Sequence, residues 1–159
     1  RSNHSDMGTP NRITIHHSAE PLTSTRLVAT RTEVRRLQGI HQDHKNWADI
    51  GYHYLIDRAG RIVEGRDLRI QGAHAGNNIL NAGNIGICIL GNFSNQPDRG
   101  PDYARAQDPT TAQLQSLEDL VDSLRDVFGI TKGQVFSHGE LKVTECPGPS
   151  LRVWLQKYR

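Results

Sequence analysis

Two short strings hold the residues best suited to chemistry: ITIHHSAE near the start of the chain and FSHGELKVTECPGP near its end. Within them His16, His138 and Cys146 offer two imidazoles and a thiolate, the ligand types that zinc prefers. Three protein ligands rather than four leave a position for water, whose pKa a bound zinc lowers from near 16 to roughly 7. Such a set would be a catalytic site, because structural zinc sites are closed by a fourth protein ligand. Spacing by itself leaves a second reading open. The gap of eight from His138 to Cys146 matches none of the short zinc spacings such as Cys-x-x-Cys. Eight histidines in 159 residues place some near a cysteine by chance, and a free Cys is commonly a small buried apolar residue.

The elements that would have to position these residues alternate strand and helix. Arg12 to His16 reads as a short strand in which Ile13 and Ile15 share one face, so Thr14 and His16 share the other. Val34, Leu37 and Ile40 or His41 have helical spacing, and a helix is predicted over about 28–45. Segments 52–57 and 61–64 flank Ala59-Gly60 as a β-hairpin. Asn84 to Leu90 is a nearly continuous apolar run, as expected of a central strand buried on both faces. A turn-rich stretch, 91–109, follows. Thr110 or Thr111 then caps a helix with one apolar stripe, Leu114, Leu117, Val121, Leu124 and Phe128, which ends at Gly129. Gln134 to Ser137 is a last strand feeding His138, and Ser150 is expected to cap a short final helix after a Pro-Gly-Pro turn. This order predicts a single α/β domain with a central mixed, mostly parallel sheet flanked by helices. His16 and His138 would close two strands and Cys146 would lie on the loop after the second, placing all three in a cleft at the strand ends.

In order, ITIHHSAE, NWADIGYHYLID, GRIVEGRD, GAHAGN, NIGICILGNF and SHGELKVTECPGP resemble the type-2 N-acetylmuramoyl-L-alanine amidase family. That family includes amidase-type lysozymes of bacteriophages and peptidoglycan recognition proteins of animals. The resemblance runs from about Arg12 to about Tyr158. It implies that His16, His138 and Cys146 are zinc ligands and that Tyr52, in the Gly-Tyr-His string, is catalytic. Thr144 stands at a position that is Lys in phage members and commonly Thr in catalytic recognition proteins. The implied reaction is zinc-dependent hydrolysis of the amide between N-acetylmuramic acid and L-alanine in peptidoglycan or muropeptides. In it Tyr52 would orient the water or the amide, and Thr144 would hydrogen-bond the oxyanion. His74 resembles a residue lining the groove beside the zinc, and Asn81 matches an Asn ahead of the Ile-Gly-Ile strand; both are expected to touch substrate.

Neighbouring residues take plainer readings. His17 faces away from His16 and is expected to be a structural histidine bonded to backbone, with orientation of a ligand as the alternative. Gly72 and Gly76 are read as positions of backbone freedom. Cys88 is read as core, and a Cys88–Cys146 disulfide is excluded if Cys146 holds metal. Asp49, Asp57 and Glu64 are read as braces and a strand edge rather than general bases.

The net charge of +2 gives no basic stripe of the kind nucleic acid needs, although mild positive charge suits an anionic wall polymer. No apolar run approaches the roughly 18 residues of a membrane span, and none resembles a signal peptide. The chain begins at Arg1 without a Met, so a mature or excised piece is expected, with a linker over 1–11 and the amidase domain over 12–159. A monomer is expected, and action in the periplasm or outside the cell follows from the substrate. Two other function classes compete: a non-catalytic module that binds peptidoglycan, and a thiol hydrolase with Cys146 as nucleophile and His138 as base. The second is disfavoured because Pro147 removes a backbone N–H where an oxyanion hole would be wanted.

Overall fold

The computed structural model describes residues 2–159. Alternation in β1 (Arg12–His17) sends Ile13 and Ile15 into one apolar core and Thr14 and His16 to the opposite face, all four buried. β2 (Tyr54–Ile56) and β3 (Ile62–Glu64) form the antiparallel hairpin. Its turn is organised by the buried Asp57, whose carboxylate accepts from the N–H groups of Ala59 and Arg61, the Thr30 hydroxyl and the Arg61 guanidinium. The apolar run becomes β4 (Asn84–Ile89), buried at every position. It pairs in parallel with β1, from Arg12 opposite Asn84 to His17 opposite Ile89, and in parallel with β2. β5 (Val135–Ser137) lies parallel to the other side of β1. The sheet order is therefore β3-β2-β4-β1-β5, mixed and mostly parallel as predicted.

Helices cover both faces. α1 (Leu27–Gly39) brings Leu37 onto Ile50, Leu55, Cys88 and Leu90, and runs on into a π-helical turn over Ile40–His44 rather than ending as one regular helix. After α2 (Asn78–Asn81), α3 (Thr111–Phe128) packs Leu117, Val121 and Leu124 on the isoleucines of β1 and β4. Thr110 caps α3 by accepting from the Gln113 N–H while Gln113 returns the bond to the Thr110 N–H, and Gly129 ends it at φ 66°, a left-handed conformation that glycine adopts without a steric cost. α4 (His138–Leu141) and α5 (Pro149–Tyr158) complete the chain. The cap residue of α5 is Gly148, with Pro149 opening the helix, so Ser150 lies in the first turn and is not the cap expected from sequence.

The N-terminal stretch expected to be a linker is in part packed onto the domain. Met7 is buried at 3 % exposure. Around it the Gln71 N–H donates to the Ser5 carbonyl and the Met7 N–H to the Arg69 carbonyl, with Asp6 bridged to Ile70. Among the described residues no helix is long and apolar enough to cross a membrane.

Candidate metal centre

Because β1 and β5 are adjacent and parallel, His16 near the end of one and His138 immediately after the other arrive at the same edge of the sheet. Cys146 reaches that edge from the turn between α4 and α5. One ligand atom from each of the three lies within 4.8 Å of the others. The His16 and His138 rings are 4.4 Å apart between centroids, and His16 Nδ1 is 3.7 Å from Cys146 Sγ. Each position is braced from behind. The Glu140 carboxylate accepts from the Ser137 N–H at 2.7 Å and its hydroxyl at 3.0 Å, and pairs with Arg159 at 2.8 Å, fixing the start of α4 where His138 sits. The Cys146 N–H donates to Thr144 Oγ1 at 3.2 Å, and Arg152 holds the Thr144 carbonyl at 2.7 Å.

Electrostatics favour the ligand forms of the imidazoles. Burial, reinforced by His74, His138 and His17, holds His16 well below the usual histidine range. Burial and then Lys142 lower His138 to about 4. Both are neutral near pH 7 and each has a lone pair to give. Burial pushes the Cys146 thiol up to about 12, against the opposing pull of the His17 N–H and Arg152. His138 Nε2 is buried with no hydrogen-bond partner among the described residues, an arrangement that costs free energy unless something accepts that atom. Two nitrogens and one sulfur suit zinc. A tetrahedral zinc bound at roughly 2.0 Å to nitrogen and 2.3 Å to sulfur sets those atoms about 3.5 Å apart, near the His16–Cys146 separation of 3.7 Å. The residues present fit this metal.

Tyr52 stands beside the centre, its ring 5.2 Å from that of His16. It lines both a cleft of about 600 Å³, shared with His41, His74, Asn81 and His138, and a smaller one of about 330 Å³, shared with His16, Thr144 and Cys146. Burial, with Cys88 and Cys146 nearby, raises the Tyr52 phenol well above its ordinary range, so it remains a donor. The π-helical turn contributes His41, which accepts from the Gly51 N–H at 2.9 Å and packs between Trp47 and Tyr52. The sequence marks His41 only as a helix position; a π-turn within a helix often marks a functional site, but its periodicity is hard to tell from that of an α-helix.

His74 and Asn81 also lie at the large cleft, engaged from within. His74 Nδ1 is 2.9 Å from His16 Nε2, and its Nε2 is 2.9 Å from the Asn84 carbonyl. Asn81 Oδ1 accepts from the N–H groups of His74 at 3.0 Å and Ala75 at 2.8 Å. His17 accepts from the Phe93 N–H at 3.1 Å, a bond to backbone. Both cysteines are free. Asp49 accepts from Gln38 and the Ile50 N–H, and Glu64 is exposed on β3; neither belongs to the three-residue centre.

Residues 6–149 match the N-acetylmuramoyl-L-alanine amidase family. The chain belongs to that family. The chain is similar to peptidoglycan-recognition protein SC2 of Drosophila simulans, 34% identical over 145 residues, covering 88% of this chain and 71% of that protein. It is also similar to the endolysin of Escherichia phage T7, 34% identical over 125 residues, covering 78% of this chain and 75% of that one. The crystal structure of Drosophila peptidoglycan recognition protein SD has the same fold, with a TM-score of 0.82 at 28% identity, covering 99% of this chain and 86% of that one.

Proposed function

We propose that the chain is a zinc-dependent N-acetylmuramoyl-L-alanine amidase, hydrolysing the amide between N-acetylmuramic acid and L-alanine in peptidoglycan or muropeptides. The observation that carries this reading is the convergence of His16, His138 and Cys146 beside a cleft in a chain of the amidase family. His16, His138 and Cys146 would hold the zinc, which when bound polarises a carbonyl and acidifies a water.

The remaining work falls to this chain's own side chains. Tyr52, which lines both clefts, orients the attacking water or the amide through its hydroxyl. Water oxygen adds to the lactyl carbonyl carbon, the tetrahedral oxyanion collapses, the C–N bond breaks, and the amine of L-alanine leaves with a proton derived from the water. Thr144 Oγ1 already accepts from the Cys146 N–H, so its own proton is available to donate to the oxyanion. The enzyme acts as a monomer on wall material in the periplasm or outside the cell.

A non-catalytic peptidoglycan-binding module would have no need of an intact His-His-Cys set. A thiol hydrolase is disfavoured by the Cys146 thiol, pushed up to about 12, since the thiolate is the nucleophile in such enzymes. Mass spectrometry of muropeptides after digestion tests the proposal. Free stem peptides with an N-terminal L-alanine are the expected products, and wall material bound but left uncut would favour the recognition module.

A further inference from the structure

The Asn84 main-chain carbonyl can only accept a hydrogen bond, so its 2.9 Å contact with His74 Nε2 places a proton on that nitrogen. A neutral imidazole protonated on Nε2 has a bare Nδ1, which can only accept. The 2.9 Å contact between His74 Nδ1 and His16 Nε2 therefore places the His16 proton on Nε2. His16 Nδ1 is then bare, and it is the atom that faces the Cys146 sulfur at 3.7 Å. Direction is set at one end of the series by a backbone atom of β4, which has no second tautomer.

The fold is cut to hold the His74 ring in this pose. A Cβ at Gly86, in the middle of β4, would lie 2.6 to 2.8 Å from three atoms of that ring, and one at Gly72 would lie 2.5 Å from its Cδ2. Glycine weakens the interior of a strand, yet Gly86 stands between Ile85 and Ile87 in the central strand. Asn81 pins the backbone of His74 and Ala75. From behind, His53 meets the His74 ring edge-on at 5.9 Å between centroids, held there by the Gly86 N–H donating to its Nδ1 and by its own Nε2 bond to the Ile70 carbonyl. Both nitrogens of His74 are spent inside the protein, which leaves neither for a ligand in the cleft.

We propose that His74 is a positioning residue for the metal centre: seated in the space left by Gly72 and Gly86, it holds His16 protonated on Nε2 with Nδ1 bare toward Cys146. Its meaning for catalysis rests on the zinc reading above, while the tautomer is a property of the metal-free protein. A metal-bound histidine is commonly oriented by the partner of its other nitrogen, and loss of that partner weakens metal binding by roughly 10- to 100-fold.

The test compares wild type with His74→Leu, which fills space without an acceptor, and His74→Asn, whose Oδ1 can replace the accepting Nδ1. Imidazole nitrogen NMR of metal-free, isotope-labelled protein should show His16 protonated on Nε2 in wild type and in His74→Asn. Competition with a chromogenic chelator should show zinc bound about 10- to 100-fold more weakly by His74→Leu, with most of the loss recovered in His74→Asn. Gly86→Ala, which touches no ligand, should also weaken zinc binding by displacing the ring. Protonation of His16 on Nδ1 in wild type would overturn the proposal, as would a folded His74→Leu protein with unchanged zinc affinity. If His74→Leu does not fold, the wild-type tautomer and the affinity of His74→Asn decide. A wild-type protein that has the expected tautomer and takes up no zinc would uphold the positioning and sink the zinc reading separately.

Discussion

The sulfur of Cys146 accepts a hydrogen bond at 3.4 Å from the backbone N–H of His17, the residue directly after His16 and 129 positions away in the chain. That bond ties the Cys-Pro-Gly turn to the end of β1 and directs a dipole at the sulfur, favouring the charged thiolate form that a metal needs. Cys146→Ala and His16→Ala should therefore lose zinc together while keeping the far-ultraviolet circular dichroism of the native sheet. Metal analysis of the purified variants checks this, and retention of one zinc per chain by either would remove that residue from the ligand set.

Tyr52→Phe should keep both zinc and fold, because the ring packs against His16 and His41 and the proposed ligands are His16, His138 and Cys146. Turnover on muropeptides should fall by on the order of a hundredfold if the hydroxyl serves the transition state. Unchanged kcat would take Tyr52 out of the mechanism.

Thr144→Ala should reduce kcat less than Tyr52→Phe does, since water can replace a hydroxyl donor in part. The same hydroxyl receives the Cys146 N–H, so zinc affinity must be measured beside turnover. A variant that loses zinc at unchanged kcat per bound metal would make Thr144 a brace of the Cys146 turn alone.

Stability should fall on mild acidification. His41 and His53 are each lowered from 6.5 to about 4, burial being the largest cause for both, and each accepts a backbone N–H that a protonated ring could not. In the unfolded chain they take up protons near 6.5, whereas in the native state they do not until near 4. Between these values the unfolded state binds more protons, so their contribution is full above about 6.5 and is lost progressively as pH falls toward 4. Urea midpoints at about pH 7.5 and about pH 5 check this; an equal midpoint at the two would contradict neutral burial of both rings.

The parts of the fold legible in the sequence are those written in local periodicity and caps. Alternation around Ile13 and Ile15 was enough to put His16 on the opposite face, and Thr110 with Gly129 bounded α3 at both ends. What escaped depends on distant partners. The polar composition of 1–11 reads as a linker, yet Met7 is buried through pairing with 69–71. Ser150 has the type of a cap, but Gly148 and Pro149 already occupy the start of α5. Gly72 reads as a place of backbone freedom, whereas the structure shows a place without room for a side chain, beside the rings of His53 and His74. In the candidate centre, residue type and family motif single out His16, His138 and Cys146, which the structure brings together. Type and motif could not show that His74 bonds a residue 58 positions away, because His74 lies on a loop that is held against β4 through the Asn84 carbonyl, next to β1.

The most direct measurement strips the protein of metal with a chelator and follows release of L-alanyl peptides from defined muropeptides as zinc is returned. The stripped protein should cleave nothing, and activity should rise in proportion to added zinc and level off at one equivalent per chain. Thiol alkylation should be slow in the zinc-loaded protein, because the sulfur's lone pairs are engaged. Full cleavage by metal-free protein would contradict the zinc assignment and the amidase mechanism built on it.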